Sequence, residues 1–294
     1  MDNRVREVIG GALRPNDPRR FLVEAMIGAM HADGALDARE AGVLEAHLAA
    51  HPLFAGVSAA ASRTLIELAT DAIKFAGSAA ARVPAIAKGL PSRIHRIAGY
   101  AMACEISAAD AEISHDEMAF LELLRQHLRI ATHEAQHVFH ALHAGQLAAH
   151  LEDRLLRIRS LVPFVIELFT LRAHALGRAV DDHRFAVRDF LLALPDMALP
   201  KDDLDAALFQ AFRKPRTGDV YSELSVLAQY LPDPVDRWWM VVYAVAAEAP
   251  GSVTSWRVIP FLAMMQHAFG LGDADMDVAV LDAQVFPASL PRPA

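Results

Sequence analysis

Apolar side chains recur at steps of three and four along almost the whole chain, and no run of Val, Ile, Thr and aromatic residues alternates with period two. Steps of three and four lay an apolar stripe along an α-helix, whereas a half-buried strand needs strict alternation. Phe21, Leu22, Ala25, Met26 and Ala29 form one such stripe. Val43, Leu44 and His47-Leu48 form a second, and Phe120, Leu121, Leu124 and Leu128 a third. Ala and Leu, both strong helix formers, dominate the composition. Pro and Gly punctuate the pattern at Pro15 and Pro18, Pro52, 88–91, Pro195 and Pro200, Pro215, 232–234 and 250–251. The chain reads as all-α, with about seven helices before residue 148 and about as many after it.

Its 294 residues suggest two domains at roughly 150 residues each. Gly145-Gln146 interrupts the periodicity, and the break is expected near residue 148, giving helical bundles over 1–148 and 149–294. Lys and Arg total 28 against 36 Asp and Glu, a formal charge of −8. That balance argues against nucleic acid and anionic membranes, which select clustered positive charge. Cys104 is the single cysteine, so intrachain disulfides and multi-cysteine metal sites are excluded, and it reads as a small buried hydrophobe. The first residues lack a signal-peptide core, and the most apolar stretches, 161–171 and 238–247, fall short of the ~20 residues a bilayer requires. A cytoplasmic protein without a transmembrane segment is expected.

An internal repeat is the most informative feature. The stretch Ala32-Asp33-Gly34-Ala35-Leu36-Asp37-Ala38-Arg39-Glu40 aligns without a gap on Ala109-Asp110-Ala111-Glu112-Ile113-Ser114-His115-Asp116-Glu117. Both copies read Ala-Asp-small-x-aliphatic-cap-x-x-Glu between two periodic segments, with Leu44 matching Leu121. Fainter echoes begin at Gly177 and Glu248, where the key acids are replaced by Gly177, Arg184, Pro250 or Gly251, and Arg257 or Val258. The second half reads as a copy that kept the scaffold and lost the acids.

Each copy contains a capping box, Asp37 with Glu40 and Ser114 with Glu117, in which a cap side chain and a Glu satisfy orphan amides of the following helix. Ile113 and Met118 stand where a hydrophobic staple belongs. Capping accounts for the two glutamates without any ligand. Asp33 and Asp110 are harder to explain, because each follows a helix whose C-terminal dipole disfavours a carboxylate by ~0.3–1 kcal/mol. Two such corners packed together would gather Asp33, Glu40, Asp110 and Glu117, and four carboxylates repel unless protonated or bridged by a hard cation. Glu105 and Glu112 are close enough in sequence to join them or to stay in solvent. The short loops lack the spacing of an EF-hand.

The paired Asp-Gly-x-aliphatic-x-x-x-Glu corner resembles the tellurite-resistance TerB-like family, over about residues 19–142 and more faintly over 160–285. The resemblance implies a bundle of about seven helices with an internal pseudo-twofold and an acidic cluster that holds a divalent metal. Asp33, Gly34, Glu40, Asp110 and Glu117 match the pattern, while Ala111 departs from its glycine. It further implies a non-enzymatic protein of stress response or tellurite resistance, acting beside protein partners of that system. Ca²⁺ is the expected cation, with Mg²⁺ or Mn²⁺ as alternatives.

A rival lies in His133-Glu134-Ala135-Gln136-His137, a literal H-E-x-x-H, in which two histidines on one helical face hold Zn²⁺ and the Glu serves as general base. His140 stands where the extended motif has its turning glycine, so His143 would diverge from His133 by about 80° on an unbroken helix. Thr132 reads as the N-cap, and a solvated histidine face is the preferred account, with a zinc hydrolase and a metal-free scaffold as alternatives. The basic loop Arg213-Lys214-Pro215-Arg216 reads as a solvated turn, and Trp238-Trp239 and Met264-Met265 as core.

Overall fold

The structure, a computed structural model, describes residues 17–30, 38–90, 92–110, 113–177, 180–194, 197, 199–216, 218–247 and 255–283, with the side chains at 38–40, 52, 110 and 180–182 outside that description. Among the described residues every regular element is helical. The chain separates into two compact units, Met1–Leu156 and Arg157–Ala294. The division falls late in a continuous helix, Leu147–Ser160, whose first turn coincides with the change of pattern near residue 148.

The first unit contains α1 (Pro18–Met30), α2 (Ala38–Ala50), α3 (Ala59–Ala76), α4 (Ala79–Gly89), α5 (Arg93–Ser107), α6 (His115–His127), α7 (Thr132–His143) and the start of α8 (Leu147–Ser160). Helices α1 and α5 are its axis. From Leu22 to Ala29 every residue of α1 is buried, and in α5 only Glu105 among fifteen residues is not. A helix enclosed on all sides needs apolar or self-satisfied residues all round. Where α5 carries polar groups, they are partnered: Ser92 Oγ lies 2.6 Å from His95 Nδ1, and Arg96 Nε donates to the Leu90 carbonyl. In α1, Glu24 is fully buried but accepts from Arg20 and Arg82. Cys104 is buried within α5, and burial pushes its thiol up to about 12, as expected of an inert core residue.

Close backbone approach fixes how α1 meets its neighbours. A Cβ at Gly28 would stand 2.4 Å from Phe120 Cζ, and one at Gly89 2.3 Å from the Phe21 ring. Both glycines are therefore spaces for aromatic rings. Around the axis, α3 begins with Ser58 accepting from the Ala61 amide and ends at Gly77, whose φ of +86° is the left-handed cap that glycine adopts without strain.

The second unit comprises α9 (Val162–Ala175), α10 (Val180–Ala193), α11 (Lys201–Arg213), α12 (Val220–Gln229), α13 (Pro234–Ala246), α14 (Pro260–Phe269) and α15 (Asp273–Ala283). Its core is built on α9 and α13. From Trp238 to Ala246 all of α13 is buried, with Trp238 donating from Nε1 to the Asp275 carbonyl. Trp238, Trp239 and Met265 are core residues, as their place in apolar runs implied, whereas Met264, read as core with its neighbour, is only partly buried. Among the described residues no helix is long and apolar enough to cross a membrane.

Candidate functional site

The side chains expected to carry the cation fall mostly outside the described residues. Asp33, Gly34 and Asp37 lie there, as do Ala111 and Glu112. Glu40 stands in the first turn of α2, and Asp110 closes a 3₁₀ turn, Ala108–Asp110, that follows α5 directly. Glu117 is described in full. Its Oε2 accepts from the Ser114 amide at 2.7 Å, and Ser114 Oγ accepts from the Glu117 amide at 3.2 Å. This is the capping box read from the sequence; the staple beside it is less evident, since Met118 is nearly half exposed.

The helices that precede the two corners run side by side in the same direction. The Asp17 carboxylate acts electrostatically on His95, and Leu22 Cδ2 lies 3.4 Å from the Cβ position of Gly99. These pairings advance together along both helices, so α1 and α5 are parallel, and their offsets of 78 and 77 residues match the 77-residue repeat. Both helices therefore deliver the chain to the same end of the unit, Met30 from one and Ser107 from the other. Two parallel helices also point the negative ends of their dipoles the same way.

The helices that follow the corners cross over. Phe120 of α6, which follows the second corner, fills the space left by Gly28 of α1. His47 and His51, at the end of the helix that follows the first corner, meet Glu105 of α5, each with Nε2 3.5 Å from Glu105 Oε2. The second copy thus sets Phe120 on the first helix of the other copy, and the first copy reaches α5 through the two histidines at the end of α2.

The sequence set His47 in a helical stripe and Glu105 near the second corner, but nothing in it joined Glu105 to His47 and His51. Spaced i and i+4, they share a face of the turn, and their ring centroids are 5.8 Å apart. Burial alone would raise the Glu105 pKa, but contact with His47 and His51 outweighs it and holds the carboxyl at about 2. The Leu53 amide donates to His51 Nδ1 at 3.2 Å, which places the His51 ring proton on Nε2, facing the carboxylate. A nitrogen carrying that proton is not a metal ligand. Consistently, no group of three or more His, Cys, Asp or Glu among the described residues is placed to hold a metal ion.

The H-E-x-x-H segment divides between two environments. His133 and His137 are exposed with ring centroids 6.1 Å apart, whereas Glu134 is 2 % exposed. Its Oε1 lies 4.0 Å from Arg93 and 3.8 Å from Arg154. A carboxylate facing two guanidiniums in the core is poorly placed to activate water beside surface histidines. The helix start also differs from expectation: Ala131 is the N-cap and Thr132 the first helical residue, with no side-chain cap.

In the second unit, Gly177 has a φ of +59° and follows α9 as a left-handed turn, and Arg257 pairs with Asp273 at 2.6 Å. No family model, curated protein or solved structure matches the chain.

Proposed function

We propose that the first unit is a TerB-like metal-binding domain in which a divalent cation, Ca²⁺ in the first instance, is held by Asp33, Glu40, Asp110 and Glu117 and stiffens the two corners for contact with a protein partner. The role would be non-catalytic and belong to stress or tellurite resistance, with the second unit a copy lacking the acids. The observation that supports this reading is the parallel, repeat-registered placement of α1 and α5, with exit from both helices at one end. Carboxylates gathered beside two helix C-termini meet both mutual repulsion and an adverse dipole, and a hard cation relieves both. The complete Ser114–Glu117 capping box favours the second reading, a metal-free helical scaffold whose glutamate is only a cap.

Differential scanning calorimetry with Ca²⁺, Mg²⁺ or Mn²⁺ separates the two. A binding site raises the melting temperature in proportion to the logarithm of free cation above its Kd. Asp33→Asn with Asp110→Asn should abolish that rise while leaving the cation-free melting temperature unchanged or higher. A chain indifferent to all three cations, or a double variant that responds as the wild type does, leaves the scaffold reading.

A further inference from the structure

The second unit holds a cavity of about 590 Å³ between the start of α9 and α12, within the size range of small-molecule sites. Its apolar wall includes Phe164, Val226 and Tyr230. Phe164 and Tyr230 are stacked, with centroids 6.5 Å apart and planes inclined by 28°, and Tyr230 is 67 % exposed. Glu167, Glu223 and Lys214 line the same cavity, Glu167 one turn after Phe164 on α9 and Glu223 one turn before Val226 on α12.

These charges are unequally fixed. Arg216, expected from sequence to sit in a solvated turn, is 6 % exposed, and its Nη1 donates to both Glu167 Oε1 and Glu223 Oε2. One guanidinium against two carboxylates leaves one negative charge. Lys214 supplies the balance only loosely, with its ammonium 3.5 Å from Glu167 on a side chain 62 % exposed. Burial would raise the Glu167 pKa, but Arg216 and Lys214 lower it overall, so the carboxylate remains ionised. Glu167 Oε2 and Glu223 Oε1 accept no hydrogen bond among the described residues.

We infer that this cavity binds a small primary amine carrying a flat apolar body, whose ammonium replaces that of Lys214 beside Glu167 while its body lies against Phe164 and Tyr230. Lys214 itself shows that an alkylammonium is accommodated there, and its exposure makes displacement into water inexpensive. The inference is independent of the cation reading of the first unit.

The test is isothermal titration of the full chain with phenethylamine and with 2-phenylethanol, its neutral counterpart, at pH 7. The amine should bind at least tenfold more tightly than the alcohol. Lys214→Met, which removes the competing ammonium, should strengthen amine binding about fivefold, and Tyr230→Ala, at an exposed position, should weaken it about tenfold. Glu167→Gln should abolish the preference for the amine; because it also frees Arg216, its fold is verified by circular dichroism. Equal binding of the two compounds, no gain in the Lys214 variant, or no loss in the Tyr230 variant overturns the assignment. Binding of an acetyl-Ala-Lys-Ala amide peptide where phenethylamine fails would overturn it in favour of a protein partner's lysine.

Discussion

Replacing Gly28 by Ala tests the crossing of the two repeats at its tightest point. The new methyl would stand 2.4 Å from Phe120 Cζ and 2.8 Å from Cε2, well inside contact distance, and Phe120 is itself only 4 % exposed. Relief needs a shift of about 1 Å in a ring enclosed by the core, and overpacking of this kind costs about 1–3 kcal/mol. Against that, Ala is favoured over Gly inside a helix by roughly 0.5–1 kcal/mol. The balance is a destabilisation of about 1–2 kcal/mol. At 2–4 °C per kcal/mol for a unit of this size, the melting temperature of the first unit should fall by roughly 2–8 °C.

Phe120→Leu removes the distal ring atoms and so the clash. In that background Gly28→Ala should regain its helical advantage and stabilise by about 0.5–1 kcal/mol, a coupling of roughly 2 kcal/mol between the positions. Urea unfolding followed by far-ultraviolet circular dichroism measures both changes. All three tryptophans, Trp238, Trp239 and Trp256, belong to the second unit, so tryptophan fluorescence follows that unit while circular dichroism follows both. If Gly28→Ala stabilises the wild-type background by its full helix propensity, Phe120 does not rest on α1. The contact of α6 with α1 would then be wrong, while the parallel run of α1 and α5 would stand on its own pairings.

Acid should weaken the first unit in two windows. Burial holds the His95 pKa at about 4 instead of 6.5, despite nearby Asp17, so the unfolded chain takes up the proton first and stability declines as pH falls from about 6.5 to 4. Glu105 is held at about 2 instead of 4.5, so its contribution, complete above about pH 4.5, disappears as pH falls towards 2. Urea titrations across pH should show His95→Gln shrinking the upper limb, to which half-buried His150 also contributes, and Glu105→Gln shrinking the lower, which Glu122 shares; an unchanged profile in either variant contradicts the corresponding assignment. Glu134→Gln should destabilise the unit by about 1–3 kcal/mol, because it removes the buried negative charge that Arg93 and Arg154 face. A fully stable Glu134→Gln protein that has lost hydrolytic activity would instead restore the zinc-hydrolase reading.

What the sequence disclosed was local. A stripe repeating every three to four residues reports one buried face, and Leu22, Met26, Leu121 and Leu124 are buried as their stripes require. Ser114 and Glu117 lie three residues apart, so their reciprocal hydrogen bonds are a property of one turn and were legible from it. The charge pairings were less accessible because their partners come from other helices. Glu134 looked like part of a histidine motif until Arg93 and Arg154, from α5 and α8, were placed beside it. Arg216 read as a solvent-exposed member of a basic loop because Glu167, which it meets across the fold, lies 49 residues away. Periodicity carries the face of a helix, but it does not specify which other face will cover it.

The internal repeat does carry some of that missing information. Under the same 77-residue register, Glu105 corresponds to Gly28, His47 to Leu124 and His51 to Leu128. Leu124 is fully buried and Leu128 1 % exposed, so one copy builds these positions from leucines while the other sets two histidines against a carboxylate. The scaffold therefore does not require polar groups there, and a half-buried carboxylate is the costlier choice because it must be desolvated. The physical consequence is an asymmetry between otherwise equivalent crossings. Apolar burial is indifferent to protons, whereas the attraction between Glu105 and its histidines ends once the carboxyl is protonated. Acid should consequently loosen the end of α2 against α5 while the packing of Phe120 on Gly28 persists, and the helix behind the first corner is the one released.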